Sequence, residues 1–395
     1  MTTIELPHYV LTVINALRRA GYQGYAVGGC VRDVLMGRTP KDYDVTTDAV
    51  PDKVQAIFEN TAPTGERYGT VTVFIGRAGV EVTTFRTESG YSDNRHPGLV
   101  SYNASLSDDL ARRDFTINAM AFSPELGLVD PYHGKEDIEA QLVRAVGEPE
   151  QRFAEDALRI LRGARFCATL GFEVESRTLL SMISSCPLLQ NISGERIRDE
   201  LSRIVMTQNP EALNMILMAN GLEHIALGAA KDIVRLTNLP MIYLDRMTAF
   251  LLLCSKDIAK SLAGLRLSNH EVKTIRSITD LIGKQMIPDK IHLKKLLQNH
   301  EVEELLSAVR VKAALYDEDT ALDCVDTIRL IEQSAEPYRI SQLAVDGNDI
   351  LSLHIAPAED TGRILSFLLD CCIGSPQLNE KAALLALASS YQSDR

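Results

Sequence analysis

The chain has 395 residues, 45% of them hydrophobic and 24% charged, enough for several globular domains. Its 41 Lys and Arg against 53 Asp and Glu leave a net charge of −12, which works against loose binding to nucleic acid; an RNA partner would need a local basic surface and a fit by shape. No run of about 18 apolar residues exists, and Met1 to Pro7 holds no cationic segment leading into an apolar run of signal length, so no membrane contact and a cytoplasmic location are expected.

Residues 8–19 carry apolar side chains at helical spacing and stop before Gly21, so they are expected to form an amphipathic helix. Short apolar runs at 24–29, 42–47, 70–76 and 80–86 predict strands. Val71-Thr-Val-Phe-Ile75 and Val80-Glu-Val-Thr-Thr-Phe85, linked by Gly76-Arg-Ala-Gly79, predict a hairpin. The stretch from Arg86 to Leu110 is polar and rich in turn formers, and reads as a long loop, either mobile and functional or disordered. From Pro149 the period becomes helical, with segments at 155–170, 196–206, 210–220, 242–254, 301–315 and 319–333. The expected fold is an α+β head with a small mixed or antiparallel sheet over residues 1–147, then all-α neck (148–210), body (211–300) and tail (301–395) domains. Seven cysteines, an odd number without Cys-x-x-Cys spacing, read as reduced thiols and not as a zinc site.

The most informative stretch is Tyr25-Ala-Val-Gly-Gly-Cys-Val-Arg-Asp33, followed nine residues later by Asp42-Tyr-Asp44. On a strand, alternation puts Asp42 and Asp44 on one face while Tyr43 and Val45 point into a core. Two carboxylates held that close repel unless a cation lies between them. Hard oxygen ligands without Cys or His nearby favour Mg²⁺, which completes its shell with water and phosphate oxygens. Gly28 and Gly29 let backbone N–H groups approach an anion, and Arg32, one turn on, can fork onto phosphate oxygens.

Further along, at 100° per residue, Asp156, Arg159, Arg162 and Arg165 step along one side of a helix while Ile160, Leu161, Ala164 and Ala168 line the other. An aspartate acceptor beside an arginine donor complements the pairing edges of cytosine and adenine. Uracil and guanine present the reverse order. Two such conflicts, at ~1 to 3 kcal/mol each, would discriminate by roughly two to four orders of magnitude.

Five motifs, in order over residues 24–200, resemble the bacterial tRNA nucleotidyltransferases, the class II CCA-adding enzymes of the polymerase-beta-like superfamily. They are Gly28-Gly-Cys-Val-Arg-Asp-Val-Leu-Met-Gly37, Lys41-Asp-Tyr-Asp44, Arg112-Arg-Asp-Phe-Thr-Ile-Asn-Ala-Met120, Glu155-Asp-Ala-Leu-Arg-Ile-Leu-Arg162 and Glu195-Arg-Ile-Arg-Asp-Glu200. The resemblance implies Asp42 and Asp44 as catalytic Mg²⁺ ligands, Gly29 and Arg32 on the triphosphate, Asp156 and Arg159 on the base, and Arg113, Arg162 and Arg165 at further nucleotide-binding positions. It implies template-independent addition of CCA to the tRNA 3′ end from CTP and ATP with release of pyrophosphate, a homodimer, and a loop near residues 90–98 that switches the site from CTP to ATP.

Glu81 on the hairpin is the candidate third carboxylate, and Arg196 with Glu200 is expected to brace its own helix as an i, i+4 pair. Leu343 to Leu351 resembles a turn and helix start in the family's tail, where tRNA is gripped, while Ala356 to Gly362 departs from the pattern by being more acidic. Two alternatives remain: a poly(A) polymerase or an enzyme adding only C or only A, and a noncatalytic RNA-binding protein on the same scaffold. The chain has no His-Asp dipeptide to seed a phosphohydrolase metal site.

Overall fold

The computed structural model describes residues 4–65, 69–89, 99–102, 104–230, 232–355 and 357–391. It divides into two compact units, residues 1–234 with 254–266, and residues 235–253 with 267–395. The proposed loop switch at 90–98 lies outside the described residues.

The first unit begins with α1 (His8–Arg19), β1 (Tyr25–Val27), α2 (Gly29–Leu35), β2 (Asp44–Thr47), α3 (Pro51–Ile57), β3 (Thr61–Gly65), β4 (Thr70–Ile75) and β5 (Ala78–Thr84). It continues with β6 (Thr87–Ser89), β7 (Leu99–Ser101), α4 (Leu106–Ala111), β8 (Ala121–Ser123), β9 (Gly127–Val129), α5 (Gly134–Glu139) and β10 (Leu142–Val143). Seven strands form one sheet in the order β3-β4-β5-β2-β1-β8-β9. β2 and β5 run parallel while the other neighbours run antiparallel, the mixed sheet expected of the head.

Alternation decides what each face does. Val45, Val71, Val73, Val80 and Val82 point to one face and are buried under Val10, Val13, Ile14 and Leu17 of α1. Each such side chain contributes roughly 1.5–3 kcal/mol of burial, and Leu17→Ala would cost about 2–5 kcal/mol. The opposite face carries Asp44, Thr46, Glu81 and Thr83; there Tyr25, Val27 and Phe85 pack with Leu110 of α4. The register aligns Val27, the end of β1, with Asp44, and Asp44 with Glu81. The Gly-Gly turn and the acid pair therefore meet at the same end of the sheet.

Two details differ from expectation. The hairpin turn is tighter than the four-residue link read from the sequence: Ile75 pairs with Ala78, and Gly76 takes φ 62, a conformation glycine adopts without Cβ strain. The segment 86–110 is also not loop throughout. Its ends pair as β6 and β7, and α4 starts at a capping box in which Ser105 and Asp108 bond each other's backbone N–H.

The helical part of this unit holds α6 (Pro149–Glu155), α7 (Leu158–Leu170), β11 (Glu173–Val174), α8 (Ser176–Ser185), α9 (Gly194–Val205) and α10 (Asn214–Met218). After α11 (Tyr243–Cys254), which belongs to the second unit up to Leu253, the first unit closes with α12 (Ile258–Gly264). The helix expected over 155–170 is interrupted. Asp156 adopts φ −139 and ψ 101, and its carboxylate accepts from Leu158 N–H at 3.1 Å, so the aspartate ends α6 and caps the start of α7.

The second unit contains α13 (Asn269–Ile282), α14 (Lys290–Leu297), α15 (Val302–Tyr316), α16 (Cys324–Gln333), α17 (Gly347–Ser352), α18 (Thr361–Gly374) and α19 (Lys381–Ser390). Its C-terminal core joins Val345, Ile350, Ile364, Leu368, Cys372 and Leu384. The expected turn and helix start is present: Asp346 accepts from the N–H groups of Asn348 and Asp349 at 2.8 and 3.0 Å and opens α17. All seven cysteines are free thiols, and no helix among the described residues is long and apolar enough to cross a membrane.

Candidate active site

Where β1 ends, Gly28 takes φ 78, and a Cβ there would lie 2.8 Å from an Arg113 guanidinium nitrogen. Backbone conformation and arginine packing thus both call for glycine. The turn opens one wall of a cleft of about 460 Å³ whose lining includes Gly28, Gly29, Arg32, Asp44, Arg113, Asp156, Arg159, Arg162 and Arg165. Every site residue expected from sequence except Asp42 and the candidate third carboxylate Glu81 lines this cleft. Asp42 precedes β2, and the predicted alternation holds: Tyr43 and Val45 are buried while Asp42 and Asp44 are exposed.

Asp44 is the group whose chemistry is most perturbed. Loss of hydration among its neighbours, then the negative charges of Glu81 and Asp42, push its carboxyl up to about 6, with Arg113 acting in the opposite direction. Solvent still reaches one side of it, so a ligand can. A partly desolvated carboxylate beside two further acids makes a place that favours a bound cation. Asp42 and Asp44 fit Mg²⁺, which takes one or two protein carboxylates and fills its shell with water and substrate phosphates.

Each cleft arginine is held by an acid. Arg32 donates to Asp33 at 2.7 and 2.9 Å and to Asn118 at 2.6 Å. Arg162 forks onto one oxygen of Asp114 at 2.5 and 2.8 Å, and Arg165 donates through Nε to Glu200 at 2.6 Å. Arg113 reaches Asp109, itself fully buried, at 3.3 Å. Burial alone would raise Asp114, but the bound Arg162, with Arg159 nearby, holds it down at about 2.

The two proposed base readers share the cleft without pairing with each other. Arg159 is 8% exposed and donates to Glu155 at 2.8 Å, to the Arg152 carbonyl at 3.0 Å and to the Arg112 carbonyl at 2.9 Å. Asp156 receives Arg196 at 2.8 and 3.2 Å. The expected brace within α9 is therefore corrected: Arg196 reaches across to Asp156, and Glu200 is taken by Arg165.

Sequence reasoning passed over Asp109, Asp114, Asn118 and Phe166. The quoted Arg112 to Met120 motif contains Asp114 and Asn118, which was the available signal. Phe166 gave none, since a phenylalanine on a helix reads as core.

A curated CCA-adding enzyme from Limosilactobacillus reuteri is 34% identical to the chain over 384 residues, covering 94% of each. The chain belongs to the CCA-adding enzymes. Another such enzyme, from Lactobacillus helveticus, is 33% identical over 95% of this chain and 94% of its own. The crystal structure of the Bacillus stearothermophilus CCA-adding enzyme in complex with CTP matches with a TM-score of 0.84 at 30% identity, covering 98% of both chains. The family model for the poly A polymerase head domain matches residues 24–144, and that for a probable RNA and SrmB-binding site of polymerase A matches 171–229. The chain is accordingly a nucleotidyltransferase, and enzymes of this family generally use a divalent metal.

Proposed function

We propose that this protein adds CCA to the 3′ end of tRNA from CTP and ATP without a template, releasing pyrophosphate. One observation carries this: a cleft lined by Asp44, the Gly28-Gly29 turn, Asp156 and a set of arginines, with Asp42 two residues before Asp44, in a chain about a third identical to CCA-adding enzymes along nearly its whole length. Asp42 and Asp44 would hold Mg²⁺, and their charge and position support that role. Bound there, the metal supplies charge neutralisation on the triphosphate and lowers the pKa of the attacking hydroxyl. Arg32, Arg113 and the Gly28-Gly29 turn orient the triphosphate, and the RNA 3′-hydroxyl attacks the α-phosphorus in line with the departing pyrophosphate. No side-chain general base is required.

Asp156 and Arg159 would accept from and donate to the base edge, with Arg162 and Arg165 as further nucleotide-binding cations in the same cleft. Neighbouring Asp44 and Glu81 in register support Glu81 as the third carboxylate. The head, neck, body and tail boundaries at 147, 210 and 300, a homodimer and a cytoplasmic site of action are part of the same proposal. It is tested by supplying purified enzyme with Mg²⁺, a tRNA lacking its last three nucleotides, and CTP and ATP separately and together. CTP alone should give two additions, and both together should complete CCA and stop. Long A tails on unrelated RNA would instead identify a poly(A) polymerase.

A further inference from the structure

Three cleft arginines, Arg32 from α2 and Arg162 and Arg165 from α7, meet at one ring, that of Phe166 on α7. The guanidinium carbon of Arg165 lies 4.1 Å from the centroid of Phe166, that of Arg32 at 5.4 Å and that of Arg162 at 5.7 Å. All three are inside the range where a cation is drawn to the negative face of an aromatic ring. Each has its own acid, Asp33, Asp114 or Glu200; the ring is what they share. The phenyl group is 4% exposed, lines the cleft, and is fixed from behind by an edge-to-face contact with Phe115 at 5.6 Å and 78°. The acids fix each guanidinium separately, while the ring adds a shared attraction that a neutral aliphatic group of similar volume would not supply.

We infer that Phe166 is a positioning residue that keeps Arg32, Arg162 and Arg165 at fixed separation, so that the cleft meets a nucleotide triphosphate with its cations already in place. It rests on the nucleotide site described above and adds to it a residue whose role is to preorganise charge. Because the polyphosphate is common to CTP and ATP, the ring serves both nucleotides equally and takes no part in choosing between them.

The test compares Phe166→Leu, which keeps apolar volume, with Phe166→Tyr, which keeps the ring, and uses Phe166→Met should the leucine variant fail to fold. KM is measured for CTP on tRNA lacking CCA and for ATP on tRNA ending in CC, together with inhibition by inorganic tripolyphosphate. The leucine variant should raise both KM values about tenfold, weaken tripolyphosphate inhibition by a similar factor and leave kcat and the CTP-to-ATP preference nearly unchanged. The tyrosine variant should stay within about twofold of the natural enzyme. Unchanged KM values in the leucine variant, or an equal loss in the tyrosine variant, would overturn the inference and leave Phe166 as packing. Arg32→Ala run alongside separates the two levels: if it raises KM while Phe166→Leu does not, this inference fails and the site stands; if neither does, the site itself is misplaced.

Discussion

Arg196, on α9, holds both carboxylate oxygens of Asp156, forty residues earlier in the chain, at 2.8 and 3.2 Å. The pair fixes Asp156 at the break between α6 and α7, where its acceptor atoms line the cleft. A base amino group arriving there meets a carboxylate already oriented, at the expense of sharing its lone pairs. Arg196→Ala is therefore expected to lower kcat/KM for CTP and ATP alike by about 1–3 kcal/mol and to raise misincorporation of UTP. Steady-state kinetics with each triphosphate checks this. An unchanged UTP-to-CTP ratio would mean that Asp156 orients itself.

Asp42→Ala or Asp44→Ala should reduce nucleotide incorporation by about three orders of magnitude or more, the scale of removing charge stabilisation at a reacting centre. Retention of tRNA on a filter should hardly change, because neither acid faces RNA phosphates favourably. Loss of tRNA binding in step with activity would move the acids from catalysis to fold.

Asp44 also sets a pH dependence. Its carboxyl, ordinarily near 3.8, is raised to about 6 by loss of hydration among its neighbours and by Glu81 and Asp42. A raised acid favours the protonated native state, so its ionisation costs stability progressively as pH climbs from about 4 to 6, and the whole cost is present above about 6. Asp44→Asn should accordingly melt higher than the natural protein at pH 7 without metal, with the gain fading below pH 4. In the natural enzyme, metal must displace a proton below about pH 6. Its apparent affinity, followed by Mg²⁺ titration of activity, should fall there.

Asp114 shows the opposite sign. Held at about 2 by Arg162 against burial, it contributes stability that is full above its ordinary value near 3.8 and is lost as pH falls from about 4 towards 2. That contribution is on the order of 2 kcal/mol. Asp114→Asn should destabilise the protein by about 3 kcal/mol or more at pH 7, since it leaves Arg162 without its acid. Thermal melts of the two proteins should converge as the pH is lowered through that window.

Deleting residues 90–98 should spare C addition and impair the final A, as expected of a segment that helps switch the site between nucleotides. Single-nucleotide assays on tRNA ending before CCA and on tRNA ending in CC read the two steps separately. Equal loss of both would remove the switching role.

The parts of the site made by neighbours in sequence were legible from sequence. β1, the Gly28-Gly29 turn and the Asp42-Tyr43-Asp44 alternation are local, and backbone sterics plus a period of two are enough to place them. The network behind them was not legible, because it is made of long-range pairs: Arg162 with Asp114, 48 residues apart, Arg196 with Asp156, 40 apart, and Arg165 with Glu200, 35 apart. Within α9, Arg196 and Glu200 satisfy an i, i+4 rule, yet both are drawn to partners beyond the helix, Asp156 and Arg165. The break at Asp156 escaped the periodicity count because a capping aspartate interrupts hydrogen bonding while the side chains on either side still repeat as one helix.

The central claim is that Asp156 and Arg159 choose the base while Asp42 and Asp44 serve the triphosphate. It is tested most directly by crystals of the enzyme soaked with Mg²⁺ and a non-hydrolysable CTP analogue. The cytosine amino group should donate to Asp156 and the ring nitrogen should accept from Arg159, with the metal-bound phosphates beside Asp42, Asp44 and Arg32. A nucleotide lodged away from these side chains would contradict the account.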